Sequence, residues 1–221
     1  MEALADSRYG LTRDEIANVT KISSNGNLSQ MLTDLENSGF IAKRRVEGDR
    51  ARNIYALVDF YTFFYLKMAK NNYGINENYF SSTIDTPLRH NYFGLTFELV
   101  CFYHLEQIKH KLGISGIVSS CYTFITKGDE NTSGSQIDLV IDRKDKVISV
   151  IEIKYTESAF GIDKDYNEKI RNKISSIRDY KKGKNSLQFV MISASGLKDG
   201  KYNNIVNKII TLDDLFIDRD V

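Results

Sequence analysis

The chain has 221 residues, of which 42% are hydrophobic and 27% charged, and a formal net charge of +1. That is enough apolar chain to bury a sizeable core in one large domain or two small ones. The near-neutral charge excludes a global field for nucleic acid, so any such binding has to come from local patches.

The N-terminus MEALADSRYG lacks the basic head and apolar run of a signal peptide. The most apolar stretch, Phe60 to Met68, is too short to span a bilayer, so a cytoplasmic protein with no membrane attachment is expected. Cys101 and Cys121 are the only cysteines, and their apolar contexts (LVCFYHL and SSCYTF) read as reduced, buried thiols.

In chain order, Thr12 and Glu15 of LTRDEIANV form a capping box, with Leu11, Ile16 and Val19 apolar at helical spacing. A turn over 23–27 leads to a second helix. There Leu28, Met31, Leu32 and Leu35 recur at i, i+3, i+4 and i+7, and Gly39 closes the C-terminus. Phe40 to Val58 reads as two strands about a Gly48-Asp49 turn. Helix, turn, helix and charged hairpin is the order of a winged helix-turn-helix, expected over 1–70. In that fold the second helix enters a DNA groove, and the wing residues Lys43, Arg44, Arg45, Arg50 and Arg52 contact phosphates. The exposed positions of the second helix (Asn27, Ser29, Gln30, Thr33, Asp34, Glu36 and Asn37) include no Lys or Arg, so protein contact is the competing use.

Residues 59–80 are rich in aromatics, with Phe60, Phe63, Phe64 and Met68 at helical spacing, and predict a packed helix and a loop. Pro87, the single proline, lies in the polar stretch 81–91, and a linker is expected over 71–90. From 91 to 221 helices and strands alternate. The pattern predicts a helix over 93–112 ended by Gly113, a strand over 117–126, an exposed loop (KGDENTSGS), and two strands about Arg143–Lys146. A charged helix over 163–182, a buried strand over 187–193 and a helix over 200–209 follow. Helices flanking a central mixed sheet make this an α/β domain.

Three contexts in that half carry chemistry: FGLTFELV (93–100), SQIDLVID (135–142) and VISVIEIKY (147–155). On the last strand Ile148, Val150, Glu152 and Lys154 share one face, and two charges at the end of a strand apolar on both faces demand partners or a metal. On the strand before it Asp138, Val140 and Asp142 are expected to share a face, opposite Ile137, Leu139 and Ile141. Asp138 meets Glu152 only if the connection is the five residues 143–147; a four-residue turn sets Asp138 against Ile151, unless a bulge or bend intervenes. Hard oxygen ligands suit Mg²⁺ or Mn²⁺, with Glu98, Asp138 and Glu152 as candidate ligands. Lys154 beside the metal would orient or deprotonate the attacking water, or stabilise developing charge.

Glu98 on a helix, Asp138 on a strand and Glu152-x-Lys154 on the next resemble the PD-(D/E)XK nuclease superfamily, the restriction-endonuclease-like fold, over roughly 90–195. The resemblance implies an α/β/α domain with a central mixed sheet that hydrolyses phosphodiesters in DNA. Its metal ligands would be Glu98, Asp138 and Glu152, and its catalytic residues Asp138, Glu152 and Lys154. No proline precedes Asp138, where Gln136 and Ile137 stand. Over the whole chain, the order of a winged helix, LVDFYTFFYLK, GLTFE, SQIDLVIDR and EIKY resembles the C-terminal portion of a prokaryotic, archaeal-type AAA+ family ATPase. No G-x-x-x-x-G-K-[ST] loop is present, so no ATP site of that kind is expected. The ATPase module would lie elsewhere in a longer protein or act in trans, and the start at Met1 does not decide which.

The competing uses are a non-catalytic DNA- or protein-binding regulatory tail of such an ATPase, and an assembly domain with homo-oligomers formed through 60–68. His90, His104 and His110 show no zinc spacing, and Ser195 has no histidine nearby in sequence. The basic residues of 163–184 (among them Lys164, Lys169, Lys173 and Lys181) alternate with acids and read as a solvated face, with 178–184 able to track phosphates. Tyr155 and Tyr166 are candidates to line a substrate groove.

Overall fold

A computed structural model describes residues 1–71, 77–128 and 133–217. The chain divides into two compact units, Met1–Arg45 with Ala51–Thr96, and Val46–Arg50 with Phe97–Val221. The division runs through a strand and a helix, whereas the sequence suggested a linker over 71–90. Pro87 opens a helix in place of a linker, because the first helical turn needs no N–H from it. Residues 72–76 of the expected aromatic-rich loop and 129–132 of the KGDENTSGS loop lie outside the described residues.

The first unit holds helices α1 (Glu2–Asp6), α2 (Arg13–Thr20) and α3 (Gly26–Asn37), most of strand β1 (Ile41–Gly48) and strand β2 (Arg52–Leu57). Helix α4 (Phe60–Phe64), which runs on as a π-helical turn (Tyr65–Ala69), α5 (Tyr79–Ser82) and the start of α6 (Pro87–Tyr103) complete it. The capping box of α2 forms: Thr12 Oγ1 accepts from the Glu15 N–H at 3.2 Å, and Glu15 Oε2 accepts from the Thr12 N–H at 2.7 Å. Asn25 caps α3 by accepting from the N–H groups of Asn27 and Leu28. Ile16, Ala17, Leu28 and Leu32 are buried, while Val19 and Met31 are 60% and 48% exposed, so both apolar stripes are narrower than their spacing suggests. The aromatic segment forms a packed cluster, with Phe63 stacked on Tyr92 at 5.7 Å and Phe64 edge-on to Phe80 at 5.5 Å.

The second unit is built on a mixed sheet with the order β1-β3-β4-β5-β6-β7. Its strands after β1 are β3 (Ser119–Gly128), β4 (Ser133–Arg143), β5 (Val147–Lys154), β6 (Ser186–Ser193) and β7 (Lys208–Ile210). The β3–β4 and β4–β5 pairs are antiparallel; β5–β6 and β6–β7 are parallel. Leu139, Ile141, Ile151, Ile153, Val190 and Ile192 pack against Phe97 and Cys101 of α6 and Ile108 of α7 (Leu105–Leu112). Val140, Ile148, Val150, Phe189 and Met191 pack against Ile170 and Ile177 of α8 (Lys164–Tyr180). Helices thus cover both faces, and the architecture is α/β. Cys101 is buried, Cys121 half-buried, and both thiols are free. No helix of the described residues is long and apolar enough to cross a membrane.

Two expected elements differ. The helix over 93–112 breaks at His104 into α6 and α7. The helix expected over 200–209 is replaced by a 3₁₀ turn (Asn203–Ile205) and strand β7. Asn207 Oδ1 accepts from the Phe189 N–H at 2.7 Å, and Ile209 and Ile210 then pair along β6, where their branched side chains fit a pleated edge.

The hairpin tip is built into the second unit. Val46, Glu47 and Gly48 pair in parallel with Thr123, Phe124 and Ile125, and Asp49 Oδ2 accepts from the Lys127 N–H at 2.8 Å. Buried Glu47 accepts from the Tyr180 hydroxyl at 3.1 Å and lies 3.8 Å from Lys181 Nζ, which also reaches Asp142 at 2.7 Å. Gly48 has φ +128, and a Cβ there would stand 1.9 Å from the Ile125 carbonyl oxygen. Gly48→Ala is therefore expected to destabilise the second unit by about 2 kcal/mol or more. Urea unfolding followed by circular dichroism measures this, and an unchanged midpoint would contradict the role of the tip.

Candidate functional site

The strand pair that carries the acids closes with the register that brings them level. Leu139 pairs with Ile151 and Asp142 with Ile148, so the connection is residues 143–147. On β5 the alternation is as expected, with Ile148 and Val150 toward α8 and Ile151 and Ile153 toward α6 and α7. On β4 it is not. Between the pairs Tyr122–Val140 and Phe124–Ile137, Thr123 of β3 stands against both Asp138 and Leu139. This β-bulge places Ile137 in the same cluster as Val140, which corrects the expected alternation, and Thr123 Oγ1 secures it by donating to the Asp138 carbonyl at 2.9 Å. The ladder pairs of β4 and β5 end at Leu139–Ile151. Beyond them the Asp138 side chain takes the ladder's role: Oδ2 accepts from the Ile153 N–H at 3.0 Å, and Oδ1 lies 3.4 Å from Gln136 Nε2.

Glu152 is 4% exposed and its oxygens are both engaged. Oε1 accepts from the Tyr166 hydroxyl at 2.8 Å and lies 3.6 Å from Lys154 Nζ, while Oε2 accepts from Lys173 Nζ. Lys154 Nζ also lies 5.6 Å over the Tyr166 ring. Tyr166 and Lys173 both come from α8. With Ile170 and Ile177 they make up the helix face turned to the sheet, which the spacing 166, 170, 173, 177 specifies.

Burial, and after it the negative charge of Glu152, lifts the Asp138 carboxyl from 3.8 to about 6; the nearby Lys173, the Ile153 N–H and Lys154 offset this only in part. Burial and the Glu152 carboxylate likewise raise the Tyr166 phenol, which keeps it a hydrogen-bond donor. Glu98, half-buried on α6, acts on the same thiol as Asp138: burial first, then Glu98 and Asp138, push Cys101 well above its usual range.

The structure thus brings together Asp138, Glu152 and Lys154, and adds Lys173 and Tyr166. Among the described residues no three His, Cys, Asp or Glu side chains form a group that could hold a metal ion, so Glu98 does not complete a three-acid set with Asp138 and Glu152. The protein's own cations and N–H groups occupy the acids instead. The pair still suits one class of ion by its chemistry. It offers hard oxygens in a desolvated place, and a Mg²⁺-type cation needs only one or two carboxylates, completing its shell with water and phosphate.

Lys173 was hidden in the sequence among the many basic residues of its helix. The available signal was its position on the apolar stripe with Ile170 and Ile177, where a lysine needs a buried partner. Ser195 Oγ donates to the Thr156 carbonyl at 2.7 Å, a loop tie. Of the basic hairpin residues, Lys43, Arg44, Arg45 and Arg52 fall in the first unit and Arg50 in the second. Lys43 lies 3.9 Å from Glu36 and 5.4 Å over the Tyr55 ring, and Arg45 and Arg52 line a cavity of about 210 Å³ with Ala51 and Asn53.

No protein-family model matches the chain, and no curated protein matches it. Among solved structures, the "Crystal Structure of Protein of Unknown Function AF1548" is similar at 15% identity and a TM-score of 0.36, over 51% of this chain and 64% of that one. The chain thus spans just under two thirds of that neighbour's length.

Two outcomes follow from the buried charges. An acid whose folded value is raised binds its proton more tightly when folded, so the Asp138 contribution to stability falls as pH rises from about 4 to about 6. Asp138→Asn is expected to raise stability at pH 7 by roughly 2 kcal/mol and to flatten the thermal-unfolding profile across that window. Glu152→Ala leaves the half-buried Lys173 and Tyr166 beside a lost partner and is expected to destabilise by about 2 kcal/mol or more in denaturant titrations.

Proposed function

We propose that the second unit is a divalent-cation-dependent nuclease of the restriction-endonuclease-like, PD-(D/E)XK class that hydrolyses phosphodiesters in DNA. The observation that carries this reading is the pair of desolvated carboxylates from adjacent strands, Asp138 and Glu152, with Lys154 held 3.6 Å from Glu152. Two acids with a flanking lysine are the minimum that such chemistry asks of a protein. When bound, a Mg²⁺ or Mn²⁺ ion would polarise the phosphate and supply a water of lowered pKa at neutral pH.

The chain's own residues do the rest. Asp138 and Glu152 would hold the ion, and the Ile153 N–H fixes the orientation of the Asp138 carboxylate. Lys154, half-exposed at the strand end, presents an ammonium to the charge that develops on the phosphate oxygens. Glu98 on α6 would join the cation only through water, since it does not gather with the other two acids.

In the first unit, α2, α3 and the β1–β2 hairpin support the reading of a winged helix-turn-helix. Arg45 and Arg52 at the hairpin cavity, with Lys43 and Arg44, would meet phosphates, while Arg50, the remaining basic residue of the hairpin, belongs to the second unit. An AAA+ ATPase module, in the same protein or in trans, is the partner that the sequence order suggests.

One observation favours a second reading, a non-catalytic DNA- or protein-binding tail of such an ATPase: the protein itself satisfies both carboxylates, through Lys173, Tyr166 and the Ile153 N–H. Cleavage of labelled linear, flap and plasmid DNA in Mg²⁺ and Mn²⁺ separates the two. The nuclease reading expects cation-dependent cleavage that falls about 100-fold or more in Lys154→Ala and in Asp138→Asn. Cation-independent DNA binding with no cleavage would favour the tail.

A further inference from the structure

The nuclease reading gives Lys173 no task, yet Lys173 makes a direct ion pair with the buried acid. Its stem lies on the apolar face of α8 between Ile170 and Ile177, and its ammonium ends on Glu152 Oε2 with the side chain 21% exposed. Lys154, 3.6 Å from the other oxygen and 36% exposed, is the looser partner. Glu152 is 4% exposed and lies beside a second acid, and the charge of opposite sign in direct contact with it is Lys173. On that argument the position that Lys173 fills is the one that a divalent cation would compete for.

We infer that Lys173 is an intramolecular stand-in for the cation: it neutralises Glu152 in the cation-free protein, and a divalent cation bound at Asp138 and Glu152 displaces it toward solvent. The inference rests on the nuclease-site reading but assigns a different residue and a different event. A lysine can do this where an arginine would not, because its compact ammonium sits on a flexible stem that withdraws without breaking a bidentate fork. The helix provides an internal comparison. Lys181, two turns on, makes an analogous pair with Asp142 and Glu47, which the proposed cation site does not include.

The test is lysine labelling by reductive methylation of the wild-type full chain, read by mass spectrometry with and without saturating Mg²⁺. Lys164, 75% exposed although 4.0 Å from Glu168, serves as the solvent-exposed reference and Lys181 as the part-buried paired control. Labelling of Lys173 is expected to rise about tenfold with Mg²⁺ while Lys181 stays protected. A parallel Mn²⁺ titration is expected to show Lys173→Gln binding about tenfold tighter than wild type, since the competing charge is gone.

If wild type binds Mn²⁺ but Lys173 stays protected, or if Lys181 is released with it, the stand-in role is overturned and the nuclease reading survives. If neither wild type nor a folded Lys173→Gln binds Mn²⁺ at millimolar concentration, the site reading itself is overturned. The labelling experiment uses wild type alone, so a variant that fails to fold leaves the inference testable.

Discussion

Desolvation of two neighbouring acids is the constraint around which the second unit is organised. Glu152 and Asp138 lie at 4% and 7% exposure, and an isolated ionised carboxylate in such a place would be strongly unfavourable. The fold answers with Lys173, Lys154 and Tyr166 for Glu152, and with the Ile153 N–H and Gln136 for Asp138. The answer is incomplete, because Asp138 is still lifted to about 6.

The surrounding elements follow from that requirement. The bulge at Asp138–Leu139 ends regular pairing where the side chain has to leave the ladder and reach the Ile153 N–H. The parallel crossover from β5 through α8 to β6 lays the helix over the strand face that carries Glu152, so one stripe delivers apolar packing and a cation together. A second ion cluster, Lys181 with Asp142 and Glu47, repeats the device where the end of β1 joins the sheet. There Asp142 is 24% exposed, and water shares the work of solvating it.

Much of this was legible in the sequence because local rules and tertiary demands agreed. The capping box at Thr12, the hairpin and the strand over VISVIEIK were readable from spacing and turn chemistry, whereas the sequence left the turn after Asp142 open between four and five residues and the pairing of β4 with β5 decides it. Three features were not. The bulge at Asp138 depends on pairing with Thr123, which no residue of β4 announces. The break at His104 interrupts a pattern that is apolar at helical spacing on both sides of it. Residues 203–210 have a composition open to helix, and the Asn207–Phe189 hydrogen bond with parallel pairing along β6 decides against it. Lys173 was partly legible, as a lysine inside an apolar stripe, but one charged helix among 30 basic residues gives that signal little contrast. Glu98 shows the opposite failure. Its sequence context was suggestive, and the fold sets it near Cys101 without gathering it into a three-acid group.

The proposal turns on whether the desolvated Asp138–Glu152 pair takes up a hard divalent cation in competition with its own lysines. Electron paramagnetic resonance of Mn²⁺ titrated into wild type, and into Asp138→Asn/Glu152→Gln, tests it without reference to any substrate. Loss of the free Mn²⁺ signal at one ion per chain is expected in wild type, and retention of the free signal in the double variant. An undiminished Mn²⁺ signal with wild type at millimolar metal, even with an oligonucleotide present to lend phosphate ligands, would contradict it.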